Sequence, residues 1–292
     1  MTSIATALSR RAFYAGKYLY QALSALGSPR EKRILFILGC QRSGTTLLQD
    51  VFDADRGAKV YGEFSRITLT AKRPNLRLRP LPEVRSIIAR EPARFVVAKP
   101  IAETQYALEL LAAFPGSRVL FLYRDYAAVA ASNLKLFGER NGINNLRPIV
   151  AGETDNWRSE RVPPDVRAVV LRHFHEQMKP YDAAALFWYV RNRFFFDLGL
   201  STRPDVLLLR YEDLLRDPAG RMKGIYRFAG APFTSRGIAL VRPEPVRARI
   251  ELSPGIEELC AGLLARLDHA NARAWAPHAP VGGLPTREIA VA

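Results

Sequence analysis

The sequence predicts an α/β protein, a three-layer fold in which a central parallel β-sheet is flanked by helices. Three observations predict it. Short apolar runs of strand formers recur at 33–38, 95–98, 119–123 and 206–209, as expected of strands buried on both faces. Helical patterns follow them at 45–52, 104–114, 126–137 and 212–228, and strand followed by helix, repeated, gives βαβ units and a parallel sheet. A glycine-bounded loop separates the first run, which stops at Gly39, from the first helical pattern, which starts at Thr45.

The remaining elements follow in chain order. Residues 1–30 contain no acid, carry Arg10, Arg11, Lys17 and Arg30, and place Ile4, Leu8, Tyr14, Tyr18, Leu23 and Leu26 near helical spacing. This predicts a basic amphipathic helix, ended by Gly27-Ser28-Pro29. Packing of that helix on its own domain is the favoured reading, with peripheral contact to a membrane surface as the alternative. The chain thus divides into an appended helix, 1–30, and one main domain, 31–292. A short strand is expected at 58–61. Residues 74–82, with Arg73, Arg77 and Arg79 in or beside them, read as an exposed basic loop. The asparagine-, glycine- and proline-punctuated stretch 138–165 reads as a functional loop region. A helix is expected at 181–200, with Phe187, Trp188, Phe194, Phe195 and Phe196 as an aromatic core stripe. Prolines and arginines make 241–249 an irregular basic segment before a last helix at 254–267.

With 292 residues, 48% hydrophobic and 24% charged, the chain has the composition of a soluble globular protein with one sizeable core. Its formal charge of +15 draws anions, although arginine supplies 35 of the 43 bases, a bias that weakens a functional reading of the excess. Only Cys40 and Cys260 are present, too few for a disulfide framework. His173, His175, His269 and His278 lack zinc-ligand spacing, so no metal site is expected. The chain has no run approaching the ~18 apolar residues of a membrane span and no continuous apolar leader segment, and the default expectation is a cytoplasmic protein.

The most informative stretch is Gly39-Cys40-Gln41-Arg42-Ser43-Gly44-Thr45-Thr46. Between a buried strand and a helix, such a loop aims successive backbone N–H groups at one point, and the helix N-terminus adds partial positive charge, making a phosphate cradle. The fold is therefore P-loop-like, with one substitution in the Walker pattern: Thr45 stands where the lysine that reaches the β- and γ-phosphates of ATP belongs. A cradle without that lysine fits a ligand with a single 5′-phosphate, and Arg42 supplies a cation. A second stretch, Arg118-Val-Leu-Phe-Leu-Tyr-Arg124 running on to Ser132, ends a strand in arginine and follows it with a serine on the next helix. Guanidinium and hydroxyl together suit a phosphate. A third, Arg210-Tyr211-Glu212-Asp213-Leu214, ends another strand, and its two acids favour a helix N-terminus.

These stretches resemble the sulfotransferases that use 3′-phosphoadenosine 5′-phosphosulfate (PAPS). Arg42-Ser-Gly-Thr-Thr-Leu47 is similar to their 5′-phosphosulfate loop in the arginine form found in tyrosylprotein and many bacterial carbohydrate sulfotransferases. The resemblance implies that Gln41, Arg42, Ser43, Gly44, Thr45 and Thr46 hold the 5′-phosphosulfate. It implies further that Arg124 and Ser132 bind the 3′-phosphate, that Tyr211 lies near the nucleotide, and that the 31–292 unit is a sulfotransferase domain. Glu63, in Tyr61-Gly62-Glu63-Phe64, corresponds to the stretch that carries a catalytic glutamate in arginine-loop enzymes and would be the general base. Lys99, ending the 95–98 strand before Pro100, would contact the sulfuryl group together with Arg42. Arg247 and Arg249 lie where related enzymes carry a basic loop closing over the 3′-phosphate.

Sulfuryl transfer asks for a base and cations, with no metal demanded. The implied partners are the donor PAPS, with the bisphosphate PAP as product, and an acceptor hydroxyl, with carbohydrate or glycolipid leading and no role for nucleic acid. Two other readings stand beside this one. A nucleotide kinase or NTPase on the same cradle would want lysine at position 45 and a Mg²⁺-binding aspartate at a neighbouring strand end. A nucleic-acid-binding protein would owe its activity to the positive charge alone.

Overall fold

The computed structural model describes residues 4–26, 31–69, 76–242 and 250–276. The 27–30 turn, Arg73, Pro74, Arg247 and Arg249 lie outside the described residues.

Five parallel strands form the sheet: β1 (Arg33–Gly39), β2 (Ala58–Tyr61), β3 (Phe95–Ala98), β4 (Arg118–Tyr123) and β5 (Val206–Arg210), in the order β2-β3-β1-β4-β5. Every expected strand is present. From β1 the chain crosses to the edge strand β2, returns to place β3 between β2 and β1, and then builds outward on the other side through β4 and β5. That reversal makes the carboxyl end of β1 a topological switch point, where ligands bind in open α/β sheets. Register sets the strand ends level: Tyr61 pairs with Ala98, Gly39 with Leu122 and Tyr123 with Arg210. The residues just past these ends, Gly62, Lys99, Cys40, Arg124 and Tyr211, are therefore brought to one edge although they are far apart in sequence.

Both faces of the sheet are covered, which is why the strands are apolar without alternation. Phe36 and Leu38 pack into one core layer with Val96, Phe121 and Tyr123. Leu35 and Ile37 pack into the other with Val97, Leu120 and Leu209. The first layer is covered by α5 (Tyr126–Phe137), α8 (Pro180–Asp197) and α11 (Pro254–Ala274), and the second by α2 (Thr45–Asp53) and α10 (Pro218–Phe228). The expected aromatic stripe lies on α8, where Phe187, Trp188, Phe194 and Phe195 are buried.

Several expectations are corrected. The 138–165 stretch is not a long loop: it contains α6 (Asn141–Ala151) and the start of α7 (Pro164–His173). Helix α6 packs on α8 so closely that a Cβ at Gly142 would lie 2.6 Å from the Ala184 nitrogen. Packing there overrides a sequence poor in helix formers and interrupted by Pro148. The expected 212–228 helix is two: α9 (Tyr211–Arg216) ends at Asp217, which caps α10 by accepting from the Gly220 N–H at 2.9 Å, and Pro218 opens the new helix. The 104–114 helix begins as a 3₁₀ turn, Ile101–Tyr106, before α4 (Ala107–Ala113). In the expected basic loop, Arg77 is tied rather than exposed, donating to Glu103 and Glu160 at 2.7 Å each. Arg79 stays near the surface beside Glu83, and α3 (Leu81–Ala89) starts inside the segment.

The N-terminal helix α1 (Ile4–Ala25) does lie against the domain, but through Lys17 and Gln21, while Tyr18, Leu19, Tyr20 and Leu23 are exposed. Cys40 and Cys260 are free and buried. Among the described residues no helix is long and apolar enough to cross a membrane, and no side-chain group is arranged to hold a metal ion.

Candidate active site

The loop after β1 is shaped by two left-handed glycines. Gly39 has φ +130°, and a Cβ there would run into the Leu122 carbonyl oxygen of the adjoining strand. Gly44 has φ +89° and caps α2, and a Cβ there would run into the ring of Tyr211. Both positions demand glycine for backbone and for space. Arg42 between them also takes a left-handed φ, of 67°, a conformation that non-glycine residues adopt at a cost and that clusters at functional sites.

Inside this turn the Ser43 side chain is fully buried and its Oγ has no hydrogen-bond partner. A buried hydroxyl without a partner costs stability, and at a helix N-terminus it is a donor aimed where an anion sits. The cradle fits a phosphate or sulfate group on this observation. Thr45 is buried and Thr46 is exposed at the first turn of α2, and Gln41 is half-buried at the loop's outer limb.

Lys99 follows β3 and is 4% exposed. Its Nζ donates to Thr46 Oγ1 at 3.0 Å and to Glu63 Oε2 at 3.2 Å. The loop, the β2 strand end and the β3 strand end therefore converge on one ammonium group. Phe64, next to Glu63, is 75% exposed.

On the opposite flank, Arg42 Nε donates to Ser132 Oγ at 3.1 Å, joining the loop directly to α5. The Arg42 guanidinium also lies 5.9 Å from the Phe137 ring. The Arg124 guanidinium stands 4.6 Å from the centre of the Tyr211 ring, which in turn abuts Gly44. Tyr211 is thus a buried platform under both the loop and Arg124. Asp125 accepts from the Ala128 N–H at 3.0 Å and starts α5, and its own N–H donates to Glu212 at 3.2 Å. Asp213 accepts from Asn271 at 2.8 Å, a tie between helices.

Three residues that hold this geometry were not singled out from the sequence. The Thr104 hydroxyl accepts from the Gly39 N–H at 3.1 Å and donates to the Ile101 carbonyl at 2.9 Å, anchoring the start of the loop. Trp188, foreseen only as core, donates to the Arg124 carbonyl at 2.9 Å. Arg191 is wholly buried, stacked between Trp157 and Phe194, and donates to the Ile101 carbonyl at 3.0 Å, two residues beyond Lys99. Burial lowers its pKa to about 10, against the pull of the Glu103 and Glu160 carboxylates. Burial likewise pushes the Cys40 thiol up to about 12, so it stays a neutral packing group under the loop. No periodicity or motif marks these residues, because they act through backbone N–H and carbonyl groups.

Gly44→Ala is expected to cost about 1–3 kcal/mol of stability through forced left-handed backbone and to displace Tyr211. Chemical denaturation together with nucleotide titration measures both effects, and wild-type values in each would remove the steric account.

The sulfotransferase domain family matches residues 32–252. No curated protein matches the chain. Solved structures with a similar outline include the sulfotransferase domain of the Synechococcus PCC 7002 olefin synthase, with 18% identity, TM-score 0.49, and coverage of 82% of this chain and 97% of that one. A sulfotransferase from Alicyclobacillus acidocaldarius has 15% identity, TM-score 0.46, and coverage of 84% and 95%. Mouse sulfotransferase SULT7A1 complexed with PAP has 14% identity, TM-score 0.37, and coverage of 77% and 69%. The family match carries the assignment over a kinase, in keeping with Thr45 at the Walker lysine position. Spanning most of the chain and all five strands, it shows that the protein belongs to the sulfotransferase domain family and is an enzyme of sulfuryl transfer.

Proposed function

We propose that the protein transfers a sulfuryl group from PAPS to a hydroxyl of a carbohydrate or glycolipid acceptor. The observation that carries this reading is Lys99, whose ammonium group joins a cradle threonine to a carboxylate at the open edge of the sheet. A cation between an anion cradle and a base is what in-line transfer to an oxygen nucleophile requires.

When bound, PAPS supplies an activated sulfuryl group; the chain supplies everything else. The backbone N–H groups of Gly44, Thr45 and Thr46 and the hydroxyl of Ser43 hold the 5′-phosphosulfate. Arg124 and Ser132 hold the 3′-phosphate, with Tyr211 fixing the Arg124 plane. Arg42, bonded to Ser132, is assigned chiefly to the donor's phosphates. Glu63 takes the proton of the acceptor hydroxyl. Lys99 neutralises charge on the sulfuryl oxygens and on the departing oxygen. The exposed Phe64 beside Glu63 supports a sugar acceptor, since it offers a flat apolar surface for a ring's C–H face.

The test compares ligands by thermal shift and then follows transfer of labelled sulfate to glycans. Adenosine 3′,5′-bisphosphate should stabilise the protein more than adenosine 5′-phosphate and more than ATP with Mg²⁺. Arg124→Ala should weaken the bisphosphate by about 10- to 100-fold, the worth of charge-assisted hydrogen bonds to one phosphate, and leave the 5′-phosphate unaffected. Equal loss for both nucleotides would sink the 3′-phosphate assignment, and stronger stabilisation by ATP would sink the donor.

A further inference from the structure

We infer that α1 and the arginine-lined cavity beside it form a docking surface for an anionic phospholipid bilayer. The helix is attached to the domain by its polar groups. Lys17, 4% exposed, donates to the carbonyl of Asp53 at 2.6 Å and to its carboxylate at 3.0 Å. Gln21, equally buried, donates to the carbonyls of Arg56 and Ala58 at 3.0 Å each. Tyr14 donates to the Asp53 carboxylate. Positions 14, 17 and 21 lie on one face, and that face is the one turned inward. Tyr18, Leu19, Leu23 and Leu26 are left 58–80% exposed. A helix that buries polar groups and shows leucines to solvent inverts the arrangement of a helix packed on a core, and a contiguous apolar surface of that kind marks an interaction site.

Charge identifies the partner. Beside α1 is a cavity of about 590 Å³, walled by Tyr20 and Gln21 of the helix and by Arg33, Arg56, Arg94 and Arg236. Asp55 is the acid in its lining, and it is engaged, accepting from the Tyr226 hydroxyl at 2.9 Å and from the Gly57 N–H at 2.8 Å. Residues 1–30 contribute no acid at all. A second copy of the chain would set arginines against arginines, and a nucleic acid would leave the leucines in water. An anionic bilayer satisfies both features: leucines and tyrosines enter the headgroup and acyl boundary while guanidinium groups meet lipid phosphates.

The cavity also fixes the orientation of the docked enzyme. Arg33 and Phe95, which line it, open β1 and β3, whereas the cradle and Lys99 follow the ends of the same strands. At about 3.3 Å per residue the two places are some 13–20 Å apart along the strands. The reacting edge then faces away from the bilayer and meets its acceptor from the aqueous side.

The experiment sediments the full-length protein with vesicles of phosphatidylcholine alone and of phosphatidylcholine mixed with phosphatidylglycerol. Binding to the mixed vesicles is expected to be at least about tenfold tighter and to weaken as salt is raised. Leu19→Glu with Leu23→Glu should abolish it, and Arg56→Ser with Arg236→Ser should erase the preference for the mixed vesicles. All variants should keep the wild-type melting temperature and bisphosphate shift, which makes the result independent of the transfer reaction. Failure to sediment with either vesicle, equal binding to both, or wild-type binding by the leucine variant overturns the inference. So does a dimer, seen by light scattering, that the leucine substitutions dissolve.

Discussion

Glu63→Gln should lower kcat for sulfuryl transfer by about 10²- to 10⁴-fold, the range supplied by a positioned general base, and leave bisphosphate binding at its wild-type value. Glutamine is the informative replacement because its Oε1 still accepts a hydrogen bond from Lys99, which stands 3.2 Å from the carboxylate. The loop, the lysine and the strand end thus keep their places while the capacity to take a proton is lost. Glu63 is half-buried, and glutamine keeps its size and its hydrogen bond to Lys99, so the melting temperature should move little. A loss confined to KM would assign Glu63 to acceptor binding. Activity within tenfold of wild type would remove the base from this position and direct the search to the other acids of the sheet edge.

How much of this was legible in the sequence follows from the kind of signal each part gives. The strands were legible because burial on both faces leaves continuous runs such as Ile34 to Leu38 between turn residues. The cradle was legible because Gly39 and Gly44 are demanded by backbone conformation and by the approach of Leu122 and Tyr211. Strand ends marked by Lys99, Arg124 and Tyr211 were legible because a parallel sheet gathers the carboxyl ends of its strands, whatever their separation in sequence. Helix α6 was not, since Asn141, Gly142, Asn144, Asn145 and Pro148 oppose helix formation locally and the helix exists through its packing on α8. Nor was the ion network of Arg77, Glu103 and Glu160, whose members are 26 and 83 residues apart and share no periodicity. Arg77 read as a solvated loop cation because sequence reports charge without its partners. The reversed face of α1 was hidden for a related reason. Spacing identifies an apolar stripe, but the side that docks is decided by Asp53 and by the carbonyls of Arg56 and Ala58, which lie at the end of α2, in the turn after it and at the start of β2.

Lys99→Met should cost about 10²- to 10³-fold in kcat, the usual loss when one preorganised charge opposite a developing anion is removed, equivalent to about 2.7–4 kcal/mol of transition-state stabilisation. Methionine keeps the unbranched stem in a site that leaves lysine 4% exposed, so the packing survives and the cation does not. Ground-state nucleotide affinity should change far less than kcat, because on the proposed reading the phosphosulfate is held by backbone N–H groups that the substitution leaves in place. Lys99→Arg should recover little, since a planar guanidinium needs room that the buried ammonium does not. The double variant with Glu63→Gln separates two accounts of the pair. If Lys99 and Glu63 act together, one on the sulfuryl oxygens and one on the acceptor proton, the double variant falls little further than the worse single one, because a base without a stabilised leaving group gains nothing. If the 3.2 Å ion pair is merely structural, either single substitution already breaks it, and the loss appears in stability, with the double variant no less stable than the worse single one. Steady-state kinetics on the four proteins, with denaturation on the same samples, therefore distinguishes a reacting pair from a surface tie.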